Sequence, residues 1–127
     1  MLAMLITGCS SEKVIVAEDG NTISSIKIIH NGEVNSARPN MADICKGFLL
    51  SKKQVGVFFT RAIYVDGSKY DNSYNILPCY VSGTAIVNNK AFHWIIRSGG
   101  VGEFNGKTSR FLKICGKGCC DKIPGVC

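Results

Sequence analysis

Apolar and polar residues alternate over Cys79–Val87 and again over Lys90–Arg97, with Asn88-Asn89 between the two runs. Such alternation predicts strands, and a pair of asparagines tolerates the positive φ angles of a type I′ turn. A two-residue loop there sets Val87 opposite Lys90, Ala85 opposite Phe92, Gly83 opposite Trp94 and Val81 opposite Ile96. The last three pairs share one face, small against large, and Thr84 and His93 fall on the other. A second hairpin is expected from Val14–Ala17 and Thr22–Ile29 around Glu18-Asp19-Gly20-Asn21, with Asn31-Gly32 ending its second strand. Residues 33–40, which include Pro39, and the polar stretch 64–76 predict loops.

The period changes after Leu50. Ser51-Lys52-Lys53-Gln54 is a capping box, in which the Ser51 hydroxyl accepts the Gln54 amide while the Gln54 side chain reaches back. Val55, Phe58, Phe59, Ala62 and Ile63 then recur at the spacing of one helical face. A single amphipathic helix over about residues 52–63 is predicted, its stripe meeting the Gly83–Trp94 face. Lys52 and Lys53 lie at the positive end of its dipole, which disfavours them locally; a solvated terminus is the plainer reading and an anion-facing spot the alternative. Ser98-Gly99-Gly100 breaks the strand before it, and Phe104 and Arg110–Ile114 suggest further strand. The expected fold class is α+β: a small antiparallel β-sheet packed against one amphipathic helix and stapled by disulfides.

The first nine residues read Met1-Leu2-Ala3-Met4-Leu5-Ile6-Thr7-Gly8-Cys9, followed by polar Ser10-Ser11-Glu12-Lys13. Ile6-Thr7-Gly8-Cys9 resembles the lipobox of bacterial lipoproteins, in which the cysteine is lipidated and becomes the new N-terminus. The apolar run is shorter than the roughly 7–15 residues of a signal h-region, and no Lys or Arg precedes it. A start codon set too far downstream accounts for both. It is also far shorter than the roughly 20 residues of a membrane-spanning helix. The expected organisation is a signal-peptide remnant over 1–8, a lipidated tether over 9–13 and one domain over 14–127, with a cysteine-rich tail over 115–127. The expected location is the periplasmic face of a bacterial membrane, most naturally the outer one, reached through the lipid anchor alone.

Seven cysteines stand in 127 residues. Setting Cys9 aside for lipidation leaves Cys45, Cys79, Cys115, Cys119, Cys120 and Cys127, an even number that suits an exported domain with three disulfides. Six cysteines allow fifteen pairings, among which sequence does not choose. Cys45–Cys79 across the body, with the other four pairing in the tail, is the expected arrangement. The first bridge would close a loop of about 35 residues, worth about 3–4 kcal/mol in the chain-entropy account. The rival reading is zinc held by Cys115-x3-Cys119-Cys120-x6-Cys127, but the spacing lacks paired C-x2-C knuckles. No metal or other cofactor is expected.

Fifteen basic against nine acidic residues give a net charge of +6. Lys107, Arg110, Lys113, Lys117 and Lys122 crowd the C-terminal part against Asp121 alone, and the first four form a candidate basic binding face. In an envelope such a face would meet an acidic protein, lipid head groups or anionic polysaccharide, and a solvated basic face with no partner is the plainer reading. No RNP pattern, C2H2 finger or recognition helix points to nucleic acid. Gly102-x3-Gly106-Lys107-Thr108 is one residue short of a phosphate-binding loop and runs into strand instead of helix. The two Ser-x2-Lys matches, Ser10 to Lys13 and Ser24 to Lys27, fall in the tether and in a strand. His30 and His93 are the only histidines, and neither has a sequence neighbour that would orient it as a base.

The central part of the chain resembles a family of small, largely uncharacterised exported proteins and lipoproteins of Gram-negative bacteria. The matching residues are Cys45-x2-Phe48-x-Leu50-Ser51-x2-Gln54-Val55-x2-Phe58-Phe59-x2-Ala62, then Leu77-Pro78-Cys79-Tyr80-x2-Gly83, then Trp94-x-Ile96-x2-Gly99-Gly100. The resemblance covers about half the chain, excludes the cysteine-rich tail and carries no catalytic residue across. It implies a compact envelope domain with Cys45 and Cys79 close in space. The expected function is that of a non-enzymatic envelope lipoprotein acting as a binding module, with an immunity or inhibitor protein as its concrete form. A structural subunit of an envelope complex and a hydrolase using His93 or His30 are the alternatives.

Overall fold

The computed structural model describes residues 14–65 and 77–127. Cys9, the expected leader and tether, and most of the expected 64–76 loop lie outside the described residues. Seven antiparallel strands form one sheet: β1 (Val14–Val16), β2 (Thr22–Val34), β3 (Ile63–Val65), β4 (Cys79–Val87), β5 (Lys90–Arg97), β6 (Val101–Asn105) and β7 (Arg110–Ile114). Their spatial order is β1-β2-β4-β5-β6-β7-β3, and the sheet curls into a half-barrel. Among the described residues three α-helices accompany it: α1 (Ala42–Cys45), α2 (Lys52–Arg61) and α3 (Lys117–Cys120). The architecture is therefore a large sheet with short helices and disulfides. It is not a small sheet with one helix.

The β4–β5 hairpin turns at Asn88 and Asn89, whose φ angles are +49° and +67°. Ala85 stands opposite Phe92, Gly83 opposite Trp94 and Val81 opposite Ile96. A Cβ on Gly83 would overlap the Lys27 carbonyl of β2 and come within 2.7 Å of Trp94 Cζ2. Only glycine lets β2 and the indole approach β4 together. The buried indole donates its N–H to the Thr84 carbonyl at 2.9 Å.

Strand β2 departs from the sequence expectation. It runs on through Asn31-Gly32 to Val34, pairing Glu33 with Tyr80 and Val34 with Cys79. The Asn31 side chain bonds both the carbonyl and the amide of Leu50, so a residue expected to end the strand ties it to the start of α2 instead. Three register shifts bend β2 along the way. Residues 33–40 are thus part strand, and a 3-10 turn over Pro39–Met41 leads into α1.

The capping box of α2 is present: Gln54 N–H to Ser51 Oγ is 3.1 Å and Ser51 N–H to Gln54 Oε1 is 2.9 Å. Val55, Phe58 and Phe59 are fully buried. Phe59 meets Trp94 edge-on at 5.4 Å and Phe104 at 4.9 Å between ring centroids. The helix stops at Arg61, Ala62 is extended, and Ile63 begins β3, pairing with Ile114 of β7. Ile63 is therefore 63% exposed on an edge strand and is no part of the helical stripe. Pairing with β7 overrides a helical period that sequence alone extends by two residues too many.

Cys45 is bonded to Cys79, Cys115 to Cys119 and Cys120 to Cys127. The tail is built into the body: Ile123 and Val126 are fully buried, and the Val126 carbonyl accepts the Gly99 amide at 2.9 Å.

Candidate functional site

A groove of about 910 Å³ opens between β1, the start of β2 and the outer side of α2. Its floor is apolar, with Ile15, Ile26 and Val57, and its walls carry Lys27, Lys52, Lys53 and Arg61. Each cation has a local origin. Lys53, Val57, Thr60 and Arg61 share one face of α2 at spacings of four, three and one, opposite the buried stripe. Gly56 lets β1 come close, since a Cβ there would stand 3.1 Å from Ile15 Cδ1. Lys27 follows a bulge of β2 at which Ser25 adopts φ +55°. A non-glycine residue in that region is strained, and bulges of this kind re-aim the side chains beyond them.

Ser25 and Lys27 also line a second groove, of about 590 Å³, with His93 and Lys107. The two grooves meet at the β2 bulge. Together they present Lys27, Lys52, Lys53, Arg61, Lys107 and His93, and among the described residues no carboxylate lines them. Such a run of cations over an apolar floor attracts anions, and a low-dielectric wall strengthens that field.

The basic face predicted from the C-terminal cluster is broken up by the fold. Lys113 is 1% exposed on the core side of β7. Its ammonium lies 3.2 Å from Asp19 Oδ2 and donates to the Phe59 carbonyl at 2.6 Å. It is a structural cation, unable to reach a partner from there. Arg110 is half-exposed and paired with Glu103 at 3.1 Å, while Arg97 holds the other Glu103 oxygen at 2.7 Å. Lys107 and Lys117 are exposed but stand beyond opposite ends of β7, roughly 13 Å of strand apart at 3.3 Å per residue. Lys107 joins the groove system and Lys117, on α3, does not. The cations that do gather, Lys27, Lys52, Lys53 and Arg61, come from segments far apart in sequence. Only the Lys52-Lys53 pair and the i, i+4, i+7, i+8 face of α2 announced them.

The histidines are both on strands. His30 pairs across β2 with Ser82 and His93 across β5 with Thr84. His93 also lines a third groove, of about 350 Å³, with Tyr80, Ser82 and Arg97. Among the described residues no ion pair involves either imidazole. Nothing there fixes a tautomer or aims a ring nitrogen at a nucleophile. The sulfurs of Cys115, Cys120 and Cys127 lie within 4.8 Å of one another. They are bonded as disulfides, however, and so lack the thiolate character that zinc requires.

Among the described residues no helix is long and apolar enough to cross a membrane. No family model, curated protein or solved structure matches the chain.

Proposed function

We propose that this chain is an exported, lipid-tethered binding module of the bacterial envelope, anchored through Cys9 and recognising an anionic partner. The observation that carries this reading is the cysteine arithmetic. Six of seven cysteines are joined in three disulfides, and Cys9 is the seventh. Three bridges in so small a domain suit an oxidising compartment. The unmatched cysteine stands at the end of Ile6-Thr7-Gly8-Cys9, where a lipobox places its acylated residue.

The feature that supports binding is the groove, where Lys27, Lys52, Lys53 and Arg61 offer positive charge over an apolar floor. An immunity or inhibitor protein that blocks an acidic toxin or envelope hydrolase is one form of this function. The test is fractionation of a Gram-negative host expressing the full chain. The wild-type protein is expected in the membrane fraction, and Cys9→Ser is expected to release it to the soluble periplasm. Equal recovery of both proteins in the cytosol would overturn the reading.

A second reading, a structural subunit of an envelope complex, is favoured by the two sheet edges. Val14 and Val16 on β1, and Ile63 and Tyr64 on β3, are all more than half exposed. Edge strands that have one partner among the described residues and carry apolar side chains are suited to strand addition. Native recovery in a stoichiometric membrane complex would favour this reading over the first.

A further inference from the structure

The groove between β1, β2 and α2 combines two properties that seldom coincide on a surface meant for water. Four cations, Lys27, Lys52, Lys53 and Arg61, stand around a floor of Ile15 and Val57. A purely electrostatic site for a soluble anion has no use for an apolar floor. A lipid has phosphate at one depth and ester and acyl groups just below it, which matches cations on the rim and aliphatic side chains beneath. The strand that walls the groove, β1, stands at one end of the sheet order and sends Ile15 into the groove, while Val14 and Val16 are exposed on its opposite face.

We propose that this groove is a docking surface for an anionic bilayer, taking phospholipid headgroups between Lys27, Lys52, Lys53 and Arg61. The proposal rests on the reading of the chain as a membrane-tethered module, and the tether supports it by geometry. Strand β1 starts at Val14, five residues after Cys9. Five residues span at most about 18 Å when fully extended. A lipidated Cys9 therefore keeps the β1 wall close to the headgroup layer, and the groove is the cationic feature built on that wall. The domain then lies with its β1–α2 side against the leaflet, and Lys117 and Lys122 of the tail line neither groove.

The test uses the whole chain carrying Cys9→Ser, so that no acyl anchor contributes, with vesicles of phosphatidylglycerol and phosphatidylcholine or of phosphatidylcholine alone. The protein is expected to co-sediment with the anionic vesicles only, and less so as salt rises. Each cation near an anionic surface strengthens partitioning about fivefold, so Lys52→Ala/Lys53→Ala is expected to weaken it roughly 25-fold. Lys117→Ala/Lys122→Ala removes the same charge from exposed sites outside the groove and is expected to leave partitioning nearly unchanged. As a second readout on the unmutated groove, anionic vesicles are expected to shield Lys27, Lys52 and Lys53 from acetylation and to leave Lys117 and Lys122 reactive. Equal losses in the two double variants, or uniform acetylation, would show that net charge alone attracts the membrane and would overturn the proposal. Binding of polyglutamate with indifference to vesicles would assign the groove to an acidic protein and overturn it too. The vesicle result does not depend on acylation, so failure of the tether reading and failure of the docking surface are separately visible.

Discussion

The Lys113 ammonium reaches Oδ2 of Asp19 at 3.2 Å, joining β7 to the β1–β2 turn across most of the chain's length. The same nitrogen donates to the Phe59 carbonyl in the last turn of α2. Three segments are thus held by one cation that is 1% exposed. Because Lys113 is buried and Asp19 is its ion-pair partner, removing Asp19 alone strands a buried charge. Asp19→Ala is expected to lower the unfolding free energy by about 3–5 kcal/mol. The double variant Asp19→Asn/Lys113→Met, which removes both charges and keeps most of the volume, is expected to lose much less. Urea unfolding measures both, and equal losses would show that the pair acts through packing alone.

The same cation sets a dependence on pH. Burial holds the Lys113 ammonium below its ordinary value of 10.5, with Asp19 and Glu18 opposing that shift. Between the lowered folded value and 10.5 the unfolded chain binds the proton and the folded chain releases it. The unfolded state then carries more protons, so stability rises with pH across this window. The wild-type protein is therefore expected to gain stability relative to Lys113→Met as pH climbs toward 10.5. Unfolding series at matched pH read the difference. A difference that stays flat or narrows would contradict the assignment.

The disulfides should rank by the loops they close. Cys45–Cys79 spans 34 residues in sequence and Cys120–Cys127 spans 7. In the chain-entropy account these are worth about 4 and about 2.5 kcal/mol. Cys45→Ala/Cys79→Ala is expected to be the more destabilised of the two double variants in denaturant. The bridge also joins the last residue of α1 to the start of β4, where Val34 pairs with Cys79, so its loss should loosen the far end of β2 as well. Hydrogen exchange at Glu33 and Val34 reads that local effect.

What sequence makes legible here is local. The Asn88-Asn89 turn and the alternation on either side determine the β4–β5 register, because a two-residue loop leaves one pairing that buries Phe92, Trp94 and Ile96 together. The Ser51–Gln54 box starts α2 for equally local reasons. The misreadings arise where distant segments intervene. Asn31-Gly32 has the composition of a strand end, but Leu50 captures the Asn31 amide and β2 continues. Ile63 fits the helical period of α2, but β7 recruits it into β3. Lys113 has the composition of a solvated face, and only the return of Asp19 and the end of α2 over β7 makes it part of the core. The groove cations were hidden for the same reason, since Lys27 meets Lys53 and Arg61 only once β2 has bulged and α2 has docked.

Intact mass of the protein taken from a native envelope tests the central claim most directly, because it reports acylation and thiol state together. The account predicts a chain beginning at an acylated Cys9, with the other six cysteines oxidised and three disulfides gained on comparison with the reduced mass. A chain retaining Met1, unmodified and with seven free thiols, would contradict it.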